Sequence, residues 1–185
     1  MKLHQWLTST TGTVIAGATV AIVAGTMAIG GVAQAAPREN PAVTMTSDPV
    51  VRAQMADQLR RAPAGKLTGP SQITYDNGKF VVDFAPDAGS TARLGTPNCP
   101  TNWVCFYDGT NYGYPRGKLQ DCGQQDLATW GWRNRTNSAH DHHGASADFW
   151  DVESDSSGFW VDSGQAIADV GSAKNKVDLI YINCG

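Results

Sequence analysis

The chain has 185 residues, 41% hydrophobic, 17% charged and 9% aromatic, a composition that excludes disordered, collagenous and multi-pass membrane proteins. Its formal charge is −3, from 14 Lys and Arg against 17 Asp and Glu; residues 1–35 contribute only Lys2, so the chain without them carries −4. Residues 36–95 hold a net +1 and residues 96–185 a net −5, which argues against nucleic acid or an anionic membrane as partner, where basic charge drives affinity.

Lys2 precedes an apolar run from about Thr13 to Val32, and Ala33-Gln34-Ala35 places small residues at the −3 and −1 positions. This is the pattern of a secretory signal peptide, residues 1–35, cleaved after Ala35. The run is nearly long enough to span a bilayer, but Ala, Gly and Thr stand where an anchor would have Leu and Phe. The expectation is a secreted protein with no membrane association once the signal is removed. All four cysteines, Cys99, Cys105, Cys122 and Cys184, follow it, and an even count in an exported chain reads as two disulfides. Three pairings are possible; the one that closes the short loop Cys99 to Cys105 leaves Cys122 to Cys184, tying down the end of the chain.

Residues 36–97 read as an N-terminal segment. Residues 36–47, with Pro37, Pro41 and several Ser and Thr, have no periodicity and predict a tether. Asp48-Pro49 then provides a helix cap and first helical position, and Val51, Met55 and Leu59 form one apolar stripe on a helix over about 48–61. Pro63 and Gly65 end it. A β-hairpin is predicted over about 71–84, because Asn77-Gly78 suits the positive φ angles of a type I′ turn between two β-rich runs. Its register pairs Tyr75 with Phe80 and Ile73 with Val82, leaving an apolar face to be covered by the helix or by the C-terminal domain. Residues 85–97 read as a linker.

From residue 98 to 185 the pattern changes to short aromatic segments broken by Gly and Asn, with Trp103, Trp130, Trp132, Trp150 and Trp160 in one stretch. This predicts an all-β domain small enough to need its disulfides. Phe106-Tyr107-Asp108 recurs as Phe149-Trp150-Asp151, and Arg135-Thr136-Asn137 is echoed around Asn175 by Lys174 and Lys176, as two copies of a four-strand unit would do.

The run Cys99-Pro100-Thr101-Asn102-Trp103-Val104-Cys105-Phe106-Tyr107-Asp108, followed by Asn111-Tyr112-Gly113 and by the stretch from Trp132 to Ser138, resembles the opening motif of the secreted actinobacterial metalloproteinase inhibitors, of which the Streptomyces metalloproteinase inhibitor is typical. The resemblance covers residues 98–185. It implies an all-β, βγ-crystallin-like double Greek key sandwich, here preceded by a short helix and a β-hairpin. It also implies that Phe106 and Tyr107 open the first strand, that Tyr112 packs over Gly113, and that Ser138 closes the motif.

The calcium signature of that fold is two adjacent Asn or Asp, two free positions, then Ser or Thr followed by Ser. The matching stretches are residues 133–138 and 171–176, with Asn134, Asn137, Ser138, Ser172 and Asn175 as weak ligand candidates. Arg133 puts a cation where a ligand belongs and Lys176 replaces the final serine, so both sites read as degenerate and no cofactor is expected. On a strand His140 and His142 would share a face and could chelate zinc or copper, but no third distant ligand is identifiable, so a solvated loop is the favoured reading of the cluster from His140 to His143. Asp151, Glu153, Asp155 and Asp162 imitate an EF-hand spacing, yet Ser156 occupies the glycine position and no flanking helices are visible, so an acidic hairpin face is expected. Gly113 to Lys118 is one residue short of a phosphate loop. No nucleophile motif occurs.

The function these features point to is a secreted, non-enzymatic inhibitor of an extracellular protease, a metalloprotease first, acting through a disulfide-constrained loop that presents an apolar side chain in a substrate-like way. The candidate contacts are Trp103 and Val104 in the Cys99 to Cys105 loop, with Tyr112, Tyr114 and Arg116 in the following hairpin; the turn from Ser154 to Trp160, with Phe159 and Trp160, is a further one. Two other functions compete: a cell-wall or glycan-binding or antimicrobial module using exposed aromatics, and a metal-dependent enzyme using residues 140–143.

Overall fold

The computed structural model describes residues 44–86 and 95–185; the expected signal peptide, most of the tether and the middle of the linker lie outside them. The first element of the described residues is helix α1, Pro49–Arg61, where the Asp48 carboxylate accepts hydrogen bonds from the Val50 and Val51 amides at 2.8 and 3.3 Å. These are donors the first helical turn cannot satisfy itself. Val51 and Met55 are buried as the stripe predicts, and so is Gln58, a polar residue on the same face.

Among the described residues eleven strands follow: β1 (Lys66–Gly69), β2 (Gln72–Tyr75), β3 (Phe80–Asp83), β4 (Val104–Tyr107), β5 (Arg116–Leu119), β6 (Gly123–Asp126), β7 (Ser138–Asp141), β8 (Ser146–Asp151), β9 (Ser156–Val161), β10 (Ala166–Ile167) and β11 (Leu179–Asn183). The predicted hairpin is β2 and β3. Tyr75 faces Phe80 and Ile73 faces Val82 across it, and Asn77 and Gly78 turn the chain with φ of 56° and 105°. β1, which the sequence reading did not foresee, adds a third strand by pairing with β2.

The strands form two sheets. One runs β1-β2-β3-β5-β4-β7-β10 and the other β6-β11-β8-β9. From β4 onward the order is that of a double Greek key. The first four-strand unit places β4, β5 and β7 together and sends its third strand, β6, to the opposite sheet. The second unit does the same with β8, β9 and β11 against β10. Two bonds mark the pseudo-twofold relation: the Asn134 amide donates to the Val177 carbonyl at 2.9 Å, and the Asn175 amide donates to the Thr136 carbonyl at 3.1 Å. This is the all-β sandwich, preceded by a helix and hairpin, that the resemblance implies, and its two four-strand units are those the internal repeat predicts.

The N-terminal segment is joined to it edge to edge. β3 pairs with β5 from Phe80↔Leu119 to Asp83↔Arg116, so the hairpin extends the first sheet. Ile73, Tyr75, Phe80, Val82, Val51 and Met55 belong to one core with Phe106, Trp130, Trp132 and Phe149. Phe80 stacks on Trp130 at 4.8 Å, and Phe106 meets Trp132 edge-on at 5.7 Å, geometries favoured by the ring quadrupole. Gly117 on β5 lets these rings close in: a Cβ there would lie 2.5 Å from the Phe106 ring. Gln58 is satisfied inside this core, donating to the Trp130 carbonyl at 2.7 Å and accepting from Arg135 at 2.6 Å.

Candidate functional site

Two disulfides form, Cys99–Cys105 and Cys122–Cys184, which decides among the three pairings. The first closes a loop that crosses the outer face of β4 and β7, and it is held from both sides. The Cys99 amide donates to His140 Nδ1 at 3.0 Å, while His142 Nδ1 lies 3.0 Å from the Cys99 carbonyl. The Asn102 amide donates to the His142 carbonyl at 2.8 Å, and the His142 amide donates to the Trp103 carbonyl at 3.0 Å. The loop thereby presents Thr101 and Asn102 to solvent.

The histidines account for this bracing. His140 lies in β7 opposite Cys105, and its ring stacks on that of His142 at 5.8 Å. The solvated-loop expectation is corrected for His140, a half-buried strand residue, whereas His142 lies just past the end of β7 and is exposed. Burial, then the neighbouring His142 ring and the Arg116 guanidinium, push the His140 pKa below the ordinary histidine value. That keeps the ring neutral, as an acceptor for the Cys99 amide must be. Among the described residues no group of three His, Cys, Asp or Glu is placed to hold a metal.

Beneath the loop is a buried polar cluster. Arg116 and Asp83 are each 2% exposed, and the Asp83 carboxylate accepts from Arg116 Nη2 at 2.6 Å, Lys118 Nζ at 2.9 Å and Gln72 Nε2 at 2.7 Å. Burial works to raise the Asp83 pKa, but Arg116 and Lys118 outweigh it and hold the carboxyl below its ordinary value. Arg116 also donates to the Asn98 carbonyl at 2.7 Å, and the Tyr107 hydroxyl donates to Asn98 Oδ1 at 2.9 Å, which fixes the start of the loop. Burial pushes the Tyr107 pKa up to about 12.

This arrangement corrects the expected contact set. Val104 points into the core, Tyr112 packs edge-on against Tyr107, and Arg116 is spent on Asp83 and Asn98, so none of the three offers its side chain to a partner. Tyr114 is half-buried, its hydroxyl accepting from Asn98 at 2.7 Å. Trp103 is half-buried, with Lys118 Nζ 5.3 Å from its ring centroid. At the loop tip, Asn102 has φ of 67°, a left-handed turn. The exposed element is therefore a polar turn of Thr101 and Asn102, where an apolar side chain is expected from the sequence.

Of the weak metal candidates, Asn137, Ser138 and Asn175 have their side chains engaged elsewhere. Asn137 donates to the Asp108 carbonyl and to Asn175 Oδ1, and Ser138 donates to the Gly109 carbonyl while accepting from the Tyr112 amide. Asn134 and Asn175 carry the two pseudo-symmetric backbone bonds. Arg133 sits against Asp126 at 2.9 Å, and Ser172 is exposed in a short 3-10 turn. Asp151, Glu153 and Asp155 surround the tip of the β8–β9 hairpin, where Asp151 accepts from the Glu153 amide at 2.9 Å; Asp162 accepts from Trp160 Nε1 at 2.8 Å. Phe159 stacks on Phe149 at 4.4 Å, whereas Trp160 is exposed. The sequence reading missed the solvent face of the second sheet, although the alternation in β8 and β11 signals it.

No protein-family model and no curated protein matches this sequence significantly. Solved structures do show similarity: a βγ-crystallin domain from Clostridium beijerinckii is 23% identical, with 43% of this chain and 95% of that one covered and a TM-score of 0.37. A double mutant of clostrillin, determined in complex with nickel, is 22% identical over 44% of this chain and 98% of its own, also with a TM-score of 0.37.

Proposed function

We propose that the protein is a secreted, non-enzymatic inhibitor of an extracellular protease, with metalloproteases as the first target class, and that it docks through the Cys99 to Cys105 loop. The observation that carries this reading is the bracing of the loop by a disulfide and by two histidines, with only Thr101 and Asn102 left in solvent. A loop ordered before binding loses little conformational entropy on docking, and an inhibitor depends on that. The two disulfides fit the oxidising compartment in which such a target works. Because the tip is a left-handed turn, the loop obstructs the cleft as a plug and is not cleaved as a substrate. The competing metal-dependent enzyme finds less support, since His140 and His142 both serve the Cys99 backbone. The test is titration of thermolysin-type and other secreted metalloproteases with the processed chain. Stoichiometric inhibition is expected, weakened at least tenfold by Thr101→Glu or Asn102→Ala with the circular dichroism spectrum unchanged. Absence of inhibition, or inhibition indifferent to both changes, overturns the reading.

A further inference from the structure

The solvent face of the second sheet is built differently from the rest of the surface. Along β8, Ala147, Phe149 and Asp151 are buried, while Ser146, Asp148 and Trp150 face outward; along β11, Ile180 and Ile182 are buried, while Leu179, Tyr181 and Asn183 face outward. Strand register then sets the outward side chains in rows. Gln124, Tyr181, Asp148 and Trp160 lie side by side across β6, β11, β8 and β9, and Leu179, Trp150 and Ser157 form the next row. Trp160 is 47% exposed and Tyr181 49%, among the few large apolar side chains so exposed in the described residues. Between the rows is a depression of about 290 Å³ lined by Gln124, Asp148, Trp150, Leu179 and Tyr181.

From this geometry we infer that the face binds a glycan, a chain of β-linked uncharged or amino-bearing pyranoses. Three features point to it, and none depends on the inhibitor reading. First, Tyr181 and Trp160 stand two strands apart, roughly 9–10 Å, with Asp148 of β8 between them. A β-linked pyranose advances by about one strand spacing per residue, so rings at this separation can stack under alternate sugars. Second, polar groups interleave with the rings. Asp148 accepts from Ser157 Oγ through one oxygen and has the other to offer, and the Gln124 amide, the Trp150 indole N–H and the Tyr181 hydroxyl have no hydrogen-bond partner among the described residues. Amphipathic rings beside unpaired donors and acceptors match a sugar, whose C–H faces are apolar and whose rim is hydroxyl. Third, acidic groups prevail: Asp148 lies in one row, Asp162 holds the Trp160 indole, and the row through Leu179 ends on Asp126, whose carboxylate neutralises Arg133 at 2.9 Å. An excess of carboxylates disfavours phosphate-bearing or uronic acid polymers and favours neutral or amino sugars. A docked protein of ordinary size would need a larger apolar centre than these separated rings provide.

The experiment uses the full processed chain. Retention on insoluble chitin, chitosan and cellulose is measured beside tryptophan fluorescence titration with soluble chitohexaose. Trp160→Ala and Tyr181→Ala are the test variants, and Val50→Ala, which alters an exposed helix residue, is the control. Both aromatic side chains are largely in solvent, and circular dichroism verifies that the variants fold. The expected result is saturable binding to at least one of these polymers, reduced tenfold or more by each aromatic variant and unchanged by Val50→Ala. Lack of retention on all three, retention indifferent to Trp160 and Tyr181, or binding only to anionic polysaccharides overturns the inference. Protease inhibition is assayed on the same variants. Inhibition that survives Trp160→Ala while glycan binding fails separates the two activities.

Discussion

Replacing Asp83 by Asn tests whether the N-terminal hairpin is held to the sheet of the Greek-key domain by its buried charges. Asp83 lies in β3, and its carboxylate meets Arg116 Nη2 at 2.6 Å and Lys118 Nζ at 2.9 Å on β5, with side-chain exposures of 2%, 2% and 10% for Asp83, Arg116 and Lys118. At an effective dielectric of about 20, each contact is worth roughly 6 kcal/mol before desolvation, which removes several kcal/mol per ion. The Asn variant keeps the shape and a weak acceptor but leaves two cations desolvated without a counter-charge. The expected loss is about 3–5 kcal/mol, the range for breaking a buried pair by removing one partner. In a chain of this size that lowers the melting midpoint by roughly 6–20 °C. Urea unfolding followed by circular dichroism and tryptophan fluorescence reads it as a lower midpoint at constant slope. Asp57→Asn is the internal control: Asp57 also contacts two arginines, Arg60 and Arg61 at 2.8 Å each, but with side chains 38–71% exposed. Solvent screening limits that loss to about 1 kcal/mol or less. Equal losses for Asp57→Asn and Asp83→Asn, or a loss below about 1 kcal/mol at Asp83, would refute the argument that burial makes the difference.

Further outcomes follow from the same structure. Because the folded-state pKa of His140 is depressed, the native state binds fewer protons than the unfolded chain, so its contribution is complete above the unfolded value of roughly 6.5 and is lost as pH falls through it. Thermal melts between pH 7.5 and 5 should show a smaller acid-side decline for His140→Gln than for the wild type, and parallel curves would contradict the bracing role. The Cys122–Cys184 bridge spans 62 residues and Cys99–Cys105 spans 6, so loop-closure entropy predicts that replacing the first pair by Ser costs roughly 4 kcal/mol and the second roughly 2. Chemical denaturation of the two double variants checks the order. Gly117→Ala forces a Cβ to 2.5 Å from the Phe106 ring, and overpacking of this kind should cost about 1–3 kcal/mol, measured by the same unfolding assay.

What the sequence by itself determined is local. Asp48-Pro49 and the Val51-Met55 stripe set the helix, since capping and the 3.6-residue period are written within a few adjacent positions. Asn77-Gly78 set the hairpin register in the same way, because a two-residue turn with positive φ leaves one alignment of the flanking strands. The motif from Cys99 to Asp108 and its weaker copy around Phe149 marked the double Greek key. Tertiary structure alone decided which strands became neighbours, and with that the chemistry. The pairing of β3 with β5 placed Asp83 against Arg116, 33 residues away, and turned an apparent surface arginine into a buried one. The pairing of β4 with β7 brought two histidines that look solvated in sequence, His140 and His142, into the clasp of the Cys99 loop. The same topology drew Val104 and Tyr112 inward and gathered Trp150, Trp160 and Tyr181 from three strands onto one exposed face. Period-2 alternation tells which residues share a side of a strand, but which sheet face lies against the core, and which remains in water, depends on contacts made across dozens of residues.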